Sequence, residues 1–159
     1  MTLGEPGLAN LVADTAEGKA AAGEFGRSFA AVRDAVKSGD DIRAAELMVD
    51  TAVGQPGAAQ QLPAAQRTVL AANARTVALQ MNSTARATVS CAELQRLNIP
   101  VLVFGGDRSP RLMLMTNEAL SRCLPRAEQV TVSNASHLVH SMNPKAYNHA
   151  LLSFLDRHQ

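Results

Sequence analysis

The sequence predicts an α/β fold, a short parallel sheet of about three strands accompanied by a helical segment. Three observations lead to it. Val101–Phe104, V-L-V-F, is an unbroken apolar run entered from Pro100 and closed by Gly105-Gly106, the pattern of a strand buried on both faces. A helical pattern follows through Leu112, Leu114, Met115, Leu120 and Leu124, stops at Pro125, and leads to a further strand at Val130–Val132. Strand, helix and strand in this order read as a parallel crossover. Residues 8–96, by contrast, read as Ala-rich helices broken by turn signals.

Taken in order, Thr2–Glu5 reads as a short strand ended by Pro6-Gly7. Thr15–Lys37 places Phe25, Phe29, Val32 and Val36 at three- and four-residue spacing, which predicts one helix with a single apolar face. Ser38-Gly39 ends it, and Asp40 or Asp41 caps a second helix carrying Ile42, Ala45, Leu47, Met48 and Val49 toward Val53. Gly54-Gln55-Pro56-Gly57 breaks that helix. Pro63 opens a long helical pattern through Val69, Leu70, Val77 and Met81. Ser90–Glu93, S-C-A-E, has the spacing of a capping box for a short helix ending near Leu97. Ser109 and Pro110 read as the N-cap and first residue of the crossover helix. Asn143-Pro144 starts a last helix carrying Tyr147, Ala150, Leu151, Phe154 and Leu155. The expected organisation is the end of a core strand at 1–7, a helical region at 8–96 and an α/β core at 97–159.

Composition bounds the possibilities. At 159 residues, with 47% hydrophobic and 18% charged, the chain suits one globular domain with a real core. Aromatics make up 3% with no Trp, so Ala, Leu, Val and Met must build that core. A net charge of +1 with scattered Lys and Arg gives no electrostatic footprint for nucleic acid. No run approaches the ~18 apolar residues of a membrane span, and Met1-Thr2-Leu3 begins no signal peptide. A cytoplasmic protein is expected, with neither nucleic acid nor membrane as partner. Cys91 and Cys123 form no C-x-x-C pair and are expected there as reduced, buried thiols.

Three motifs carry a family resemblance. P-V-L-V-F-G-G-D-R-S-P at 100–110 resembles the penultimate core strand of an α/β-hydrolase and the turn that often holds its catalytic acid. N-A-S-H-L-V-H-S-M-N-P-K-A-Y-N at 134–148 resembles that family's histidine loop and the start of its final helix. T-L-G-E-P-G-L at 2–8 resembles the end of the strand that follows the nucleophile elbow. In this order and spacing they make nearly the whole chain similar to the C-terminal part of an α/β-hydrolase, and the expected fold is then a partial α/β-hydrolase fold. The resemblance implies that residues 8–96 are the helical cap, or lid. It implies that His137 is the catalytic histidine, against the plain alternative of a solvated loop histidine. The usual acid position, before the proline, is occupied by Ser109, a departure from the family pattern. Asp107 lies two residues earlier. Glu5 resembles the position used by certain haloalkane dehalogenases, after the strand that follows the elbow. Both stand as candidates, beside the plain reading of a turn carboxylate.

The nucleophile is missing: no G-x-S-x-G occurs in the sequence. Gly26-Arg27-Ser28-Phe29-Ala30 lacks the second glycine and sits in a helical pattern, and Cys91 is embedded in the capping box. His140 forms H-x-x-H with His137, but no third ligand of suitable spacing accompanies them, so no metal is expected. No other cofactor is expected either, since two glycines at 105–106 are weak ground for a phosphate site. His149 and His158 read as surface residues. The implied function is a hydrolase acting on a small, largely uncharged substrate by ester or dehalogenase-like chemistry, inactive without a nucleophile from elsewhere. The alternative is a non-catalytic binding or assembly module derived from a hydrolase. Expected partners are a small-molecule substrate and either further copies of the chain or a separately supplied N-terminal half.

Overall fold

The computed structural model describes residues 1–83 and 88–158. Residues 84–87, within the stretch expected to be helical, and Gln159 lie outside the described residues. The strands are β1 (Thr2–Gly4), β2 (Val101–Gly106) and β3 (Ala127–Val132). The helices are α1 (Ala16–Ser28), α2 (Ala30–Lys37), α3 (Asp41–Val53), α4 (Ala64–Ala72), α5 (Arg75–Asn82), α6 (Cys91–Leu94), α7 (Arg111–Cys123), α8 (Val139–Met142) and α9 (Pro144–Arg157), with short 3₁₀ turns at Ala9–Val12 and Ala59–Gln61. Among the described residues the fold is mixed α/β around a three-stranded parallel sheet. Two compact units divide the chain, Met1–Gly23 with Ala87–Gln159 and Glu24–Arg86, and the boundary falls within α1.

In the first unit the strand order is β1-β2-β3, both pairings parallel, with Gly4 opposite Phe104 and Phe104 opposite Val130. All of β2 is buried. Its alternating side chains divide between two cores, as a period of two requires. Val101 and Val103 pack with Leu94, Leu120, Cys123 and Leu124, whereas Leu102 and Phe104 pack with Val132, Ala135, Val139 and Phe154. That double burial is why V-L-V-F contains no polar residue. Helix α7 makes the crossover from β2 to β3.

In the second unit Val32, Ala35, Ala44, Ala45, Ala74 and Val77 form the buried core, flanked by Phe29, Val36, Leu47 and Met48. Asp40 caps α3 by accepting the Arg43 amide at 2.9 Å, and Gly54 ends it in the left-handed conformation at φ 75°. The single helix expected over 15–37 is two, broken at Phe29. At the break the Ser28 hydroxyl donates to the Phe25 carbonyl (2.7 Å) and Arg33 Nη1 to the Gly26 carbonyl (2.9 Å). Side chains thus engage the carbonyls that a continuous helix would pair with the amides of 29 and 30. The pattern opened by Pro63 likewise divides into α4 and α5. There the Asn73 carbonyl receives both the amide and the hydroxyl of Thr76, a tight turn in place of helical spacing.

The cysteines correct the sequence reading. Cys91 and Cys123 are not free thiols: they form a disulfide joining the start of α6 to the end of α7. They are 32 residues apart in sequence, and only the fold brings their Cα atoms to 5.1 Å. The capping box that places Cys91 is formed, with Ser90 Oγ accepting the Glu93 amide and Glu93 Oε2 accepting the Ser90 amide.

Candidate active site

The carboxyl ends of the three parallel strands converge on one cluster of side chains, the edge where open α/β sheets place their ligands. β1 stops at Gly4, yet the Glu5 amide still donates to the Phe104 carbonyl at 3.2 Å. Glu5 therefore remains tied to β2 while its φ of 43° turns the chain out of the sheet. A left-handed conformation at a residue other than glycine costs about 1–3 kcal/mol. Here it accompanies a carboxylate whose side chain has 0% exposure. Oε1 accepts the Gly106 amide at 2.9 Å, Oε2 lies 2.9 Å from Nδ1 of His137, and the Ser109 hydroxyl bonds the same carboxyl group. Burial pushes the Glu5 carboxyl up, but the hydrogen bonds from His137, Ser109 and Gly106 prevail and hold it below its ordinary value.

His137 sits in the loop between β3 and α8, with its side chain 32% exposed, so the ring is within reach of a second molecule. An ionised carboxylate can only accept, so Nδ1 carries the shared proton and Nε2 of the neutral ring presents a lone pair. Such an arrangement can remove a proton at Nε2, stabilise the resulting imidazolium through Glu5, and return the proton to a leaving group.

Asp107 does not reach the imidazole. Its carboxylate accepts the backbone amides of Asn134 and of Ala135 (3.2 Å), and these bonds, with the Arg108 charge nearby, hold it below its ordinary value. The Arg108 amide donates to the Ala135 carbonyl at 2.9 Å, and Arg108 Nη2 donates to Asn134 Oδ1 at 2.6 Å. Asp107 and Arg108 together seat the loop that carries His137. Gly106 allows that seating, because a Cβ there would lie 2.2 Å from the Ala135 carbonyl oxygen.

Ser109 is not the N-cap that the sequence suggests. Helix α7 begins at Arg111 behind Pro110, without a side-chain cap, and the Ser109 hydroxyl points to the Gly106 amide at 3.2 Å. Asn117, buried on α7, is a polar residue that the sequence does not single out: its Nδ2 donates to the Phe104 carbonyl at 2.9 Å, beside Gly105. The available signal was a polar residue three before Leu120, on the apolar stripe of the helix.

The other candidates fall elsewhere. His140 is exposed with its ring 6.2 Å from that of Tyr147, and His158 and Arg157 pair with Glu128. Among the described residues no group of three His, Cys, Asp or Glu could hold a metal ion. Cys91 is bonded to Cys123 and offers no thiolate. In the helical unit a hollow of about 340 Å³ includes Leu47, Pro56 and Asp50, whose two oxygens already accept the amides of Gly57 and Ala59. No helix among the described residues is long and apolar enough to cross a membrane.

No protein-family model matches the chain, and no curated protein sequence is similar to it.

Proposed function

We propose that this chain supplies the acid and base of an α/β-hydrolase-like enzyme acting on a small, largely uncharged substrate, by ester or dehalogenase-like chemistry. One observation supports the reading: the buried Glu5 carboxylate meets Nδ1 of His137 at 2.9 Å beyond the carboxyl ends of parallel strands. In this reading Nε2 of His137 takes a proton from a nucleophile or from the hydrolytic water, and Glu5 stabilises the imidazolium until the leaving group receives it. With no G-x-S-x-G in these residues, the nucleophile comes from another polypeptide segment. The outer edge of β1, which ends the strand order among the described residues, is where such a segment would add a strand. The Cys91–Cys123 bond favours an oxidising compartment over the cytoplasm expected from composition.

The absence of the elbow favours a second reading, a binding or assembly module that kept the pair of residues without the reaction. Assays of the isolated chain and of its native assembly separate the two. The chain alone should not turn over p-nitrophenyl esters above a His137→Ala control. The assembly recovered from its native source should release p-nitrophenol from a short ester, or bromide from a short bromoalkane. That rate should fall about 10²–10⁴-fold on His137→Ala, as for loss of a general base. An intact assembly with no turnover supports the module, and turnover indifferent to His137 removes the hydrolase reading.

A further inference from the structure

We infer that Ser109 is a positioning residue for His137, acting through Glu5: its hydroxyl fixes the carboxylate so that Oε2 faces Nδ1. The inference rests on the reading of Glu5 and His137 as acid and base. Ser109 is buried, at 7% exposure, just beyond the end of β2. Ser109 Oγ and Glu5 Oε1 face the same Gly106 amide, which sets the hydroxyl beside the carboxylate, and because an ionised carboxylate has no proton to give, the hydroxyl is the donor between them. The same oxygen accepts the Gly106 amide at 3.2 Å, and that amide also donates to Glu5 Oε1 at 2.9 Å. Gly106, Ser109 and Glu5 therefore close a small ring of hydrogen bonds that needs a donor and an acceptor on one side-chain atom.

The ring has a geometric consequence. A glutamate held by one amide keeps the freedom to swivel its carboxyl plane about that bond, and a second donor removes it. Oε2 then has one direction to face, toward His137 Nδ1 at 2.9 Å. The neighbouring helix supports this assignment. A serine immediately before Pro110 is well suited to cap α7, yet α7 starts without a side-chain cap while the hydroxyl engages the site. With the carboxylate fixed, the imidazole is held as its Nδ1–H tautomer. Without Ser109 the carboxylate turns, Nδ1 loses a stable acceptor, and the tautomers mix.

The test is ¹⁵N and ¹H NMR of the full chain with labelled histidine, reading the His137 tautomer and its Nδ1–H proton resonance, with exposed His140 and His149 as internal references. Wild type should show the Nδ1–H form with a downfield, slowly exchanging proton. Glu5→Gln and Ser109→Ala should each speed exchange of that proton by about tenfold or more, the expected effect of losing a buried hydrogen bond to a charged group. Ser109→Thr should retain the wild-type signature and Ser109→Val, its isostere without the hydroxyl, should lose it. This second pair holds the shape constant and serves also if Ser109→Ala does not fold. An unchanged signature in Ser109→Ala or Ser109→Val overturns the role of Ser109 while leaving the Glu5–His137 pair in place. An unchanged signature in Glu5→Gln removes the pair itself, and the role of Ser109 with it.

Discussion

Glu5 must be ionised where water does not reach it, and three donors make that possible. Because its folded pKa lies below the ordinary value, the ionised form contributes stability that is complete above pH 4.5 and is lost as the pH falls through the lowered folded value. Urea midpoints should therefore drop on acidification below that point, and the wild-type curve should be steeper there than that of Glu5→Gln. Asp107, Glu93 and Glu128 are also lowered, but they are common to both proteins and cancel in the difference. At neutral pH Glu5→Gln should cost about 1–3 kcal/mol, the usual effect of disturbing buried hydrogen bonds to a charged group. Parallel curves for the two proteins would exclude this contribution. Gly106 makes a complementary case. The added Cβ of Gly106→Ala meets backbone atoms of Ala135 and Ser136, which cannot rotate aside. A loss near the upper end of the ~1–3 kcal/mol range for overpacking is expected by urea denaturation, together with displacement of the His137 loop.

At the scale of the element, β2 and α7 form the frame on which the site is built. They lie within the loop closed by Cys91–Cys123, which spans 32 residues. Chain entropy assigns such a closure about 3–4 kcal/mol. Wild-type protein should accordingly melt at a lower temperature in excess dithiol, whereas Cys91→Ser should already melt lower and respond little to the reductant. Equal melting of the wild type with and without dithiol, with free thiols verified, would refute this. Leu102, 1% exposed within the core formed with α8 and α9, sits on the other face of β2. Leu102→Ala should cost about 2–5 kcal/mol by the same denaturation measurement.

For the molecule as a whole, the two units have different means of stability. The sheet-bearing unit has Val, Leu and Phe buried on both faces of β2 and a disulfide closing its frame. The helical unit buries mainly alanines, each removing little apolar area from water. Hydrogen exchange should therefore be slowest in β2 and α7 and faster through α4 and α5. Uniform protection across both units would contradict this ordering. If the outer edge of β1 receives another strand, light scattering should detect an assembly, and a charged or proline substitution at Leu3 should dissociate it. A monomer at all concentrations that binds no apolar dye would remove the strand-addition proposal.

Local patterns, by themselves, determined what is settled within a few residues of sequence. V-L-V-F specifies a doubly buried strand, S-C-A-E closes its capping box, and Gly54 ends α3 because its neighbours need a left-handed residue there. The motifs at 2–8, 100–110 and 134–148 also named Glu5, Asp107 and His137 as candidates. Only tertiary structure decided which of them meet. Glu5 reaches an amide 101 residues away and an imidazole 132 residues away, whereas Asp107, nearer in sequence, is taken up by the backbone of the loop it seats. The disulfide and the use of the Ser109 hydroxyl belong to the same class. A cysteine, a serine or a carboxylate has several partners of comparable strength available, and packing of distant segments selects one by bringing it within reach.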